Sequence, residues 1–237
     1  MKALLVATIL FLVASVIGHG QNPPNAECAA DTSSADPQVA EVAGSPSATV
    51  WVACGAVTRC GRWTVPSGTP VVVDRVRGAW TCVYAQARDG AGPGWIRSSD
   101  LRSMHYDLHP PATSWVGLWI GSKDRVAIRL ANKSSALHLS GHAEWHGNGG
   151  VVHDGDVEGE ATPRANHLHL VEEGADSCTL DLTLAGPYLV ATDNDRCGGM
   201  NVRFEGIWRR ARRRNNIQSV GLEEKAAGSV HENGCCS

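Results

Sequence analysis

The chain has no Cys-x-x-Cys pair, no Gly-x-Ser-x-Gly elbow, no long amphipathic helical period and no apolar run of the ~20 residues that span a bilayer. Each absence excludes a class of function. Without the elbow a serine triad has no seat. A wall-degrading peptidase would need a low-pKa cysteine beside a histidine, and the cysteines here are expected to be oxidised. Asp154, Asp156, Glu158 and Glu160 follow one another at every second position, so they line one strand face. Carboxylates for glycoside cleavage instead face each other across a cleft, and the EF-hand order of calcium ligands is also missing. A net charge of −3 does not provide the broad phosphate-binding surface of a nucleic-acid protein. The expectation is a binding protein with no catalytic role, no nucleic-acid partner and no resident cofactor.

What is present begins with an export signal. Lys2 precedes an apolar stretch from Ala3 to Ile17, the charged and hydrophobic regions of a secretory leader, and the small Gly18 and Gly20 suit cleavage near Gly20. No cysteine follows that stretch directly, which disfavours a lipid anchor. The mature chain is expected to be soluble, and periplasmic or secreted. Eight cysteines in such a chain read as disulfides, because those compartments are oxidising. Cys178 and Cys197 are alone in the C-terminal half and are expected to pair. Cys28, Cys54, Cys60 and Cys82 allow three pairings, of which Cys60 with Cys82 is preferred. The adjacent Cys235 and Cys236 suit a bond between chains.

Residues 21–48 are rich in Ala, Pro, Ser, Asp and Asn without a sustained apolar period and read as a flexible linker. Pro110-Pro111 forms a stiff joint, placing a domain boundary between 49–104 and a second module at 115–210. In that second module short strands are expected at 115–120, 125–130, 137–145, 156–162, 167–171, 179–185, 188–192 and 202–209, separated by turn signals such as Gly186-Pro187. The fold class is all-β, with an eight-stranded meander barrel and a β-sandwich as the alternative. Residues 211–237 read as a disordered tail. The basic run Arg209, Arg210, Arg212, Arg213 and Arg214 is a solvated extension or a contact with anionic wall polymer or lipid headgroups.

Alternation also sorts the histidines. Leu137, Leu139, Ala143 and Trp145 share one strand face, and His138, His142 and Glu144 share the other; Leu168 and Leu170 point inward, with His167 and His169 outward. If these strands are neighbours, His138, His142, His167 and His169 would gather at a weak surface zinc site. The alternative is a solvated polar face. His142-Ala-Glu144-Trp-His146 differs from the metalloprotease motif, which sets two histidines on one helical turn.

Gly68, Val71, Val73, Gly78, Trp80, Val83, Gly94-Trp95-Ile96 and Leu101 resemble the bacterial SH3 family over residues 66–101. That resemblance implies a small barrel, read here as 49–104, that recognises peptidoglycan or an envelope-protein peptide. Trp80 and Trp95 would lie at the binding face with Tyr84 nearby; for Trp80 a structural role is the alternative. The C-terminal module is similar to uncharacterised exported bacterial proteins through Trp115-Val-Gly-Leu-Trp119, Gly141-His-Ala-Glu-Trp145, Gly186-Pro-Tyr-Leu-Val190, Asp193-Asn194 and Cys197-Gly-Gly-Met-Asn201-Val-Arg-Phe-Glu-Gly206. A barrel of that strand number also admits a second expectation, an enclosed small apolar ligand. An envelope hydrolase using His142 and Glu144 is the third.

Overall fold

Short alternating runs rich in Val, Thr, Leu and Trp suit a pleated surface with one buried face, and they form β-strands throughout. The computed structural model describes residues 23–24, 27–28, 36–52, 61–87, 90–121, 124–131, 135–172, 174 and 177–211. The expected leader, Cys54, Cys60, the tail cysteines and Arg212 to Arg214 lie outside the described residues. The protein is all-β, with two antiparallel sheets.

The N-terminal sheet contains β1 (Gln38–Val42), β2 (Ser47–Trp51), β3 (Arg62–Pro66), β4 (Pro70–Arg77), β5 (Trp80–Ala87), β6 (Gly90–Arg97) and β7 (Leu101–Met104), in the order β3-β2-β6-β5-β4-β1-β7. Its main core joins Ala40, Val42, Ala48, Val50, Val65, Val71, Val83, Ala85 and Ile96. The first strand corrects the linker expected at 21–48. Gln38–Val42 sits between β4 and β7, with Val39, Ala40 and Val42 buried. Strand β5 is buried on both faces, and Trp80, Cys82 and Trp95 form a second cluster with Cys28 opposite the main core.

The C-terminal sheet contains β8 (Gly117–Ile120), β9 (Asp124–Leu130), β10 (Leu137–His146), β11 (Val152–Ala161), β12 (His167–Val171), β13 (Thr179–Ala185), β14 (Tyr188–Asp193) and β15 (Gly206–Arg210). Each strand pairs with its sequence neighbour except across β11 and β12, and the first strand pairs with the last through Trp119↔Arg210 and Ile120↔Arg209. The result is a nearly closed eight-stranded meander whose seam lies between β11 and β12 rather than at its ends. The seam is covered by the 195–204 segment. Gly199 N–H donates to Asp154 O, and a Cβ on Gly155 would come within 2.3 Å of Cys197 O, so only glycine admits this backbone approach. Glu172 Oε1 accepts from Glu158 N–H across the seam at 2.9 Å.

Inside the barrel, Trp115, Trp119, Trp208, Phe204, Ile128, Leu137, Leu139, Leu168, Leu170 and Leu180 are fully buried. Bulky side chains therefore fill the interior that a small apolar ligand would need. The indole N–H groups of Trp119 and Trp208 donate to Trp115 O and to Asp124 Oδ2, each at 2.8 Å, which satisfies two polar atoms inside an apolar core. The outer faces of β10 and β11 carry histidines and carboxylates, the reverse of a membrane-spanning barrel with its apolar exterior. Among the described residues no helix is long and apolar enough to cross a membrane.

Among the described residues two disulfides staple the fold. Cys178 pairs with Cys197 and so ties the seam-covering segment to the start of β13. Cys82 pairs with Cys28, which corrects the expected Cys60–Cys82 bond. The reason is geometric: the Cys82 side chain points to the sheet face covered by the 27–28 segment, where Arg75 Nη2 also donates to Glu27 O at 2.7 Å.

Candidate functional site

The face expected to bind a ligand is occupied by the protein itself. Trp80 is 3% exposed and Trp95 is fully buried, so neither indole offers a surface to a peptide. Trp51 meets Trp80 edge-on, and the Arg97 guanidinium lies 4.7 Å from the Trp80 ring centroid. At the other end of the same face, Tyr84 and Val72 pack against Tyr188, Val190 and Ile207 of the barrel. The Cys28 segment covers one half of this sheet face and the second module the other.

That second contact joins the modules. Tyr188 O–H donates to Pro70 O at 2.6 Å, and Tyr106 O–H donates to Pro37 O at 2.7 Å, anchoring the joint to the start of β1. Burial pushes the Tyr188 hydroxyl up to about 12, with Tyr84 adding to the rise and Arg209 opposing it. Burial likewise raises Tyr84. Both phenols therefore stay neutral at physiological pH.

Beside this junction lies an open cleft of about 1400 Å³, walled by both modules. The β3–β4 turn from Pro66 to Pro70 and the end of β5 at Gln86 supply one wall; Gly186, Pro187, Arg209 and Arg210 supply the other. Asp107, Pro110 and Ser114 bring the joint between modules to the same space. Alternation along β15 sends Trp208 and Arg210 toward the barrel interior and Ile207 and Arg209 toward the N-terminal sheet. The Arg210 guanidinium lies 4.7 Å from the Trp119 ring centroid and donates to Ser114 O. It crosses the backbone at Gly117, where a Cβ would stand 3.2 Å from its Cγ and Cδ.

The histidines occupy a different place, the outer wall of the barrel. His142 Nδ1 is 2.8 Å from Asp156 Oδ1 and its Nε2 is 3.2 Å from Glu144 Oε1, while His146 Nε2 is 3.0 Å from Glu144 Oε2. The hydrogen bond to Asp156, then that to Glu144, raises His142 above the usual imidazole range; His146 and His142 hold Glu144 below the usual carboxylate range. His138 sits 3.4 Å from Glu158, His169 2.7 Å from Asp181, and His167 3.1 Å from the Thr183 hydroxyl.

The condition for a shared zinc site is not met. β10 pairs with β9 and β11, whereas β12 pairs with β13, so His138 and His142 do not converge with His167 and His169. Among the described residues no three His, Cys, Asp or Glu side chains are grouped to hold a metal ion. His142 and Glu144 bond to each other on the convex wall, and neither lines the cleft.

Sequence reasoning did not find the cleft. It is assembled from separated segments whose members had drawn attention one at a time and for other reasons, Gly68 as an SH3-like landmark, Pro110 as part of the joint, Trp119 and Gly186-Pro187-Tyr188 within motifs, and Arg209 and Arg210 in the basic run. The chain matches no protein-family model, no curated protein and no solved structure.

Proposed function

We propose that this is an exported, non-enzymatic binding protein in which an SH3-like N-terminal unit and the barrel together hold a cell-wall or envelope-protein peptide in the cleft between them. The observation that carries this reading is the cleft itself, open to solvent and walled by both modules. Its size exceeds the several hundred Å³ typical of small-molecule sites, which favours an oligomeric ligand such as a peptide or glycopeptide. The two disulfides suit an oxidising compartment. Recognition is thereby moved from the buried Trp80 and Trp95 to the junction beside Tyr188.

The test is co-sedimentation of the oxidised protein with purified peptidoglycan, comparing wild type with Gln86→Trp, which fills the cleft from its N-terminal wall. Wild type is expected to pellet with the wall, and the variant to stay in the supernatant with an unchanged melting temperature. Wild-type protein that remains soluble at all wall concentrations would remove peptidoglycan as the ligand. Equal pelleting by the variant would remove the cleft.

A further inference from the structure

We infer that the barrel rim of this cleft is an anion subsite, formed by Arg209 and Arg210, that receives a carboxylate of the bound peptide. The inference rests on the cleft being the recognition site and adds the chemistry of what enters it.

Three observations converge. First, the two guanidinium groups flank the barrel rim from opposite sides of β15, Arg209 from the wall facing the N-terminal sheet and Arg210 from the barrel mouth. Second, of the described arginines these two line the cleft, and neither forms an ion pair among the described residues. Third, Arg210 is held in place: it stacks over Trp119, donates to Ser114 O and fits over Gly117, where a side chain would crowd it. A stacked guanidinium keeps free N–H donors along its edge, and its geometry matches the two oxygens of a carboxylate.

The rest of the surroundings favours an anion. The neighbouring Tyr188 is neutral and its proton is committed to Pro70 O, so it brings no competing charge. Asp107 also lines the cleft, but it belongs to the joint, and its Oδ1 accepts from His109 N–H at 2.8 Å. Arg209 is exposed and lies one strand position beyond Trp208 on the side of Ile207, which belongs to the apolar contact with Val72, Tyr188 and Val190, so its guanidinium is accessible to a ligand entering the cleft.

The test follows the arginine Nε–H resonances of the oxidised full chain by NMR during titration with N-acetyl-alanyl-alanine, with its C-terminal amide as control and inorganic phosphate as a competing anion. The free acid is expected to shift Arg209 and Arg210 together and saturably, and the amide to leave them unmoved. Because Arg210 also packs on Trp119, Arg209→Gln is the primary variant. It should weaken the acid about tenfold or more, the loss of a charge-assisted bond, without changing the melting temperature.

Equal response to acid and amide, or unchanged affinity in Arg209→Gln, overturns the subsite. A response to phosphate but not to the dipeptide acid overturns its assignment to carboxylate. The two proposals fail separately: a wall that sediments equally with Arg209→Gln leaves the cleft reading without the subsite, and saturable binding of the acid by a protein that ignores the wall does the reverse.

Discussion

Tyr188 and Pro70, 118 residues apart in sequence, share a 2.6 Å hydrogen bond that sets the barrel against the N-terminal sheet. The phenol sits in an apolar contact with Val72, Val190 and Ile207, so one residue supplies both packing and direction to the junction. Both residues also line the cleft, so this bond ties one of its walls to the other.

This bond predicts an alkaline instability. The Tyr188 hydroxyl ionises near 10 in the unfolded chain and is pushed up to about 12 in the folded one. Its contribution is therefore complete below pH 10 and is lost as pH rises through the folded value, a loss on the order of 2–3 kcal/mol. Tyr188→Phe should cost about 1 kcal/mol near neutral pH and flatten most of that alkaline slope, with Tyr84 and Tyr106, both also raised by burial, contributing to the remainder. Urea unfolding across the alkaline range measures both effects; an unchanged slope in the variant would assign the instability elsewhere.

The disulfides should differ in weight. Cys28–Cys82 closes a loop of 54 residues and Cys178–Cys197 one of 19. Loop-closure entropy then gives about 4 kcal/mol for the first and about 3 kcal/mol for the second. Paired serine variants should follow that order in denaturant, and peptide mapping should recover Cys28 joined to Cys82. Recovery of Cys60 joined to Cys82 would contradict the fold of the N-terminal sheet.

Protonation of His142 should strengthen the outer wall. Its pKa is raised chiefly by the hydrogen bond to Asp156, so its stabilising contribution is full below the ordinary imidazole value and fades as pH rises through the folded one. NMR titration should find His142 ionising above free imidazole in wild type and lower in Asp156→Asn. Equal midpoints in the two proteins would show that Asp156 is not the cause.

Gly155→Ala should disturb the seam. The added carbon would fall 2.3 Å from Cys197 O and 2.6 Å from Gly198 Cα, and backbone cannot rotate away as a side chain can. A loss of about 1–3 kcal/mol is expected, as for overpacking elsewhere. Hydrogen exchange should rise at Gly199, whose amide bonds to Asp154 O, more than in the interior of β13. Uniform exchange would mean that the segment does not open locally.

Most strands of the second module were readable because their signal is local, although the strand expected at 202–209 is confined to Gly206–Arg210 and the one expected at 156–162 begins already at Val152. His167–Val171 and Thr179–Ala185 fall where alternation set them, and the inward Leu137, Leu139 and Ala143 are buried opposite His138 and His142. The N-terminal sheet was harder, since Gln38–Val42 buries the adjacent Val39 and Ala40 and draws its partners from β4 and β7, far along the chain. Trp80 and Trp95 look alike in sequence whether a ligand or Cys28 covers them, because coverage is decided by tertiary contact. The cleft was least accessible to sequence reasoning, for no single segment contains two of its walls.

The placement of the barrel seam has a consequence for folding. Because β8 pairs with β15, the module consists of two four-stranded meanders, β8 to β11 and β12 to β15, zipped along one border and fastened along the other by side chains and the 195–204 segment. Each half needs only local hairpins, whereas the β8–β15 border joins positions about 90 residues apart and carries the entropic cost of closure. A circular permutant with ends joined between Arg210 and Gly117, and opened in the 162–166 turn, would make that long-range border a local hairpin while leaving every strand ladder intact.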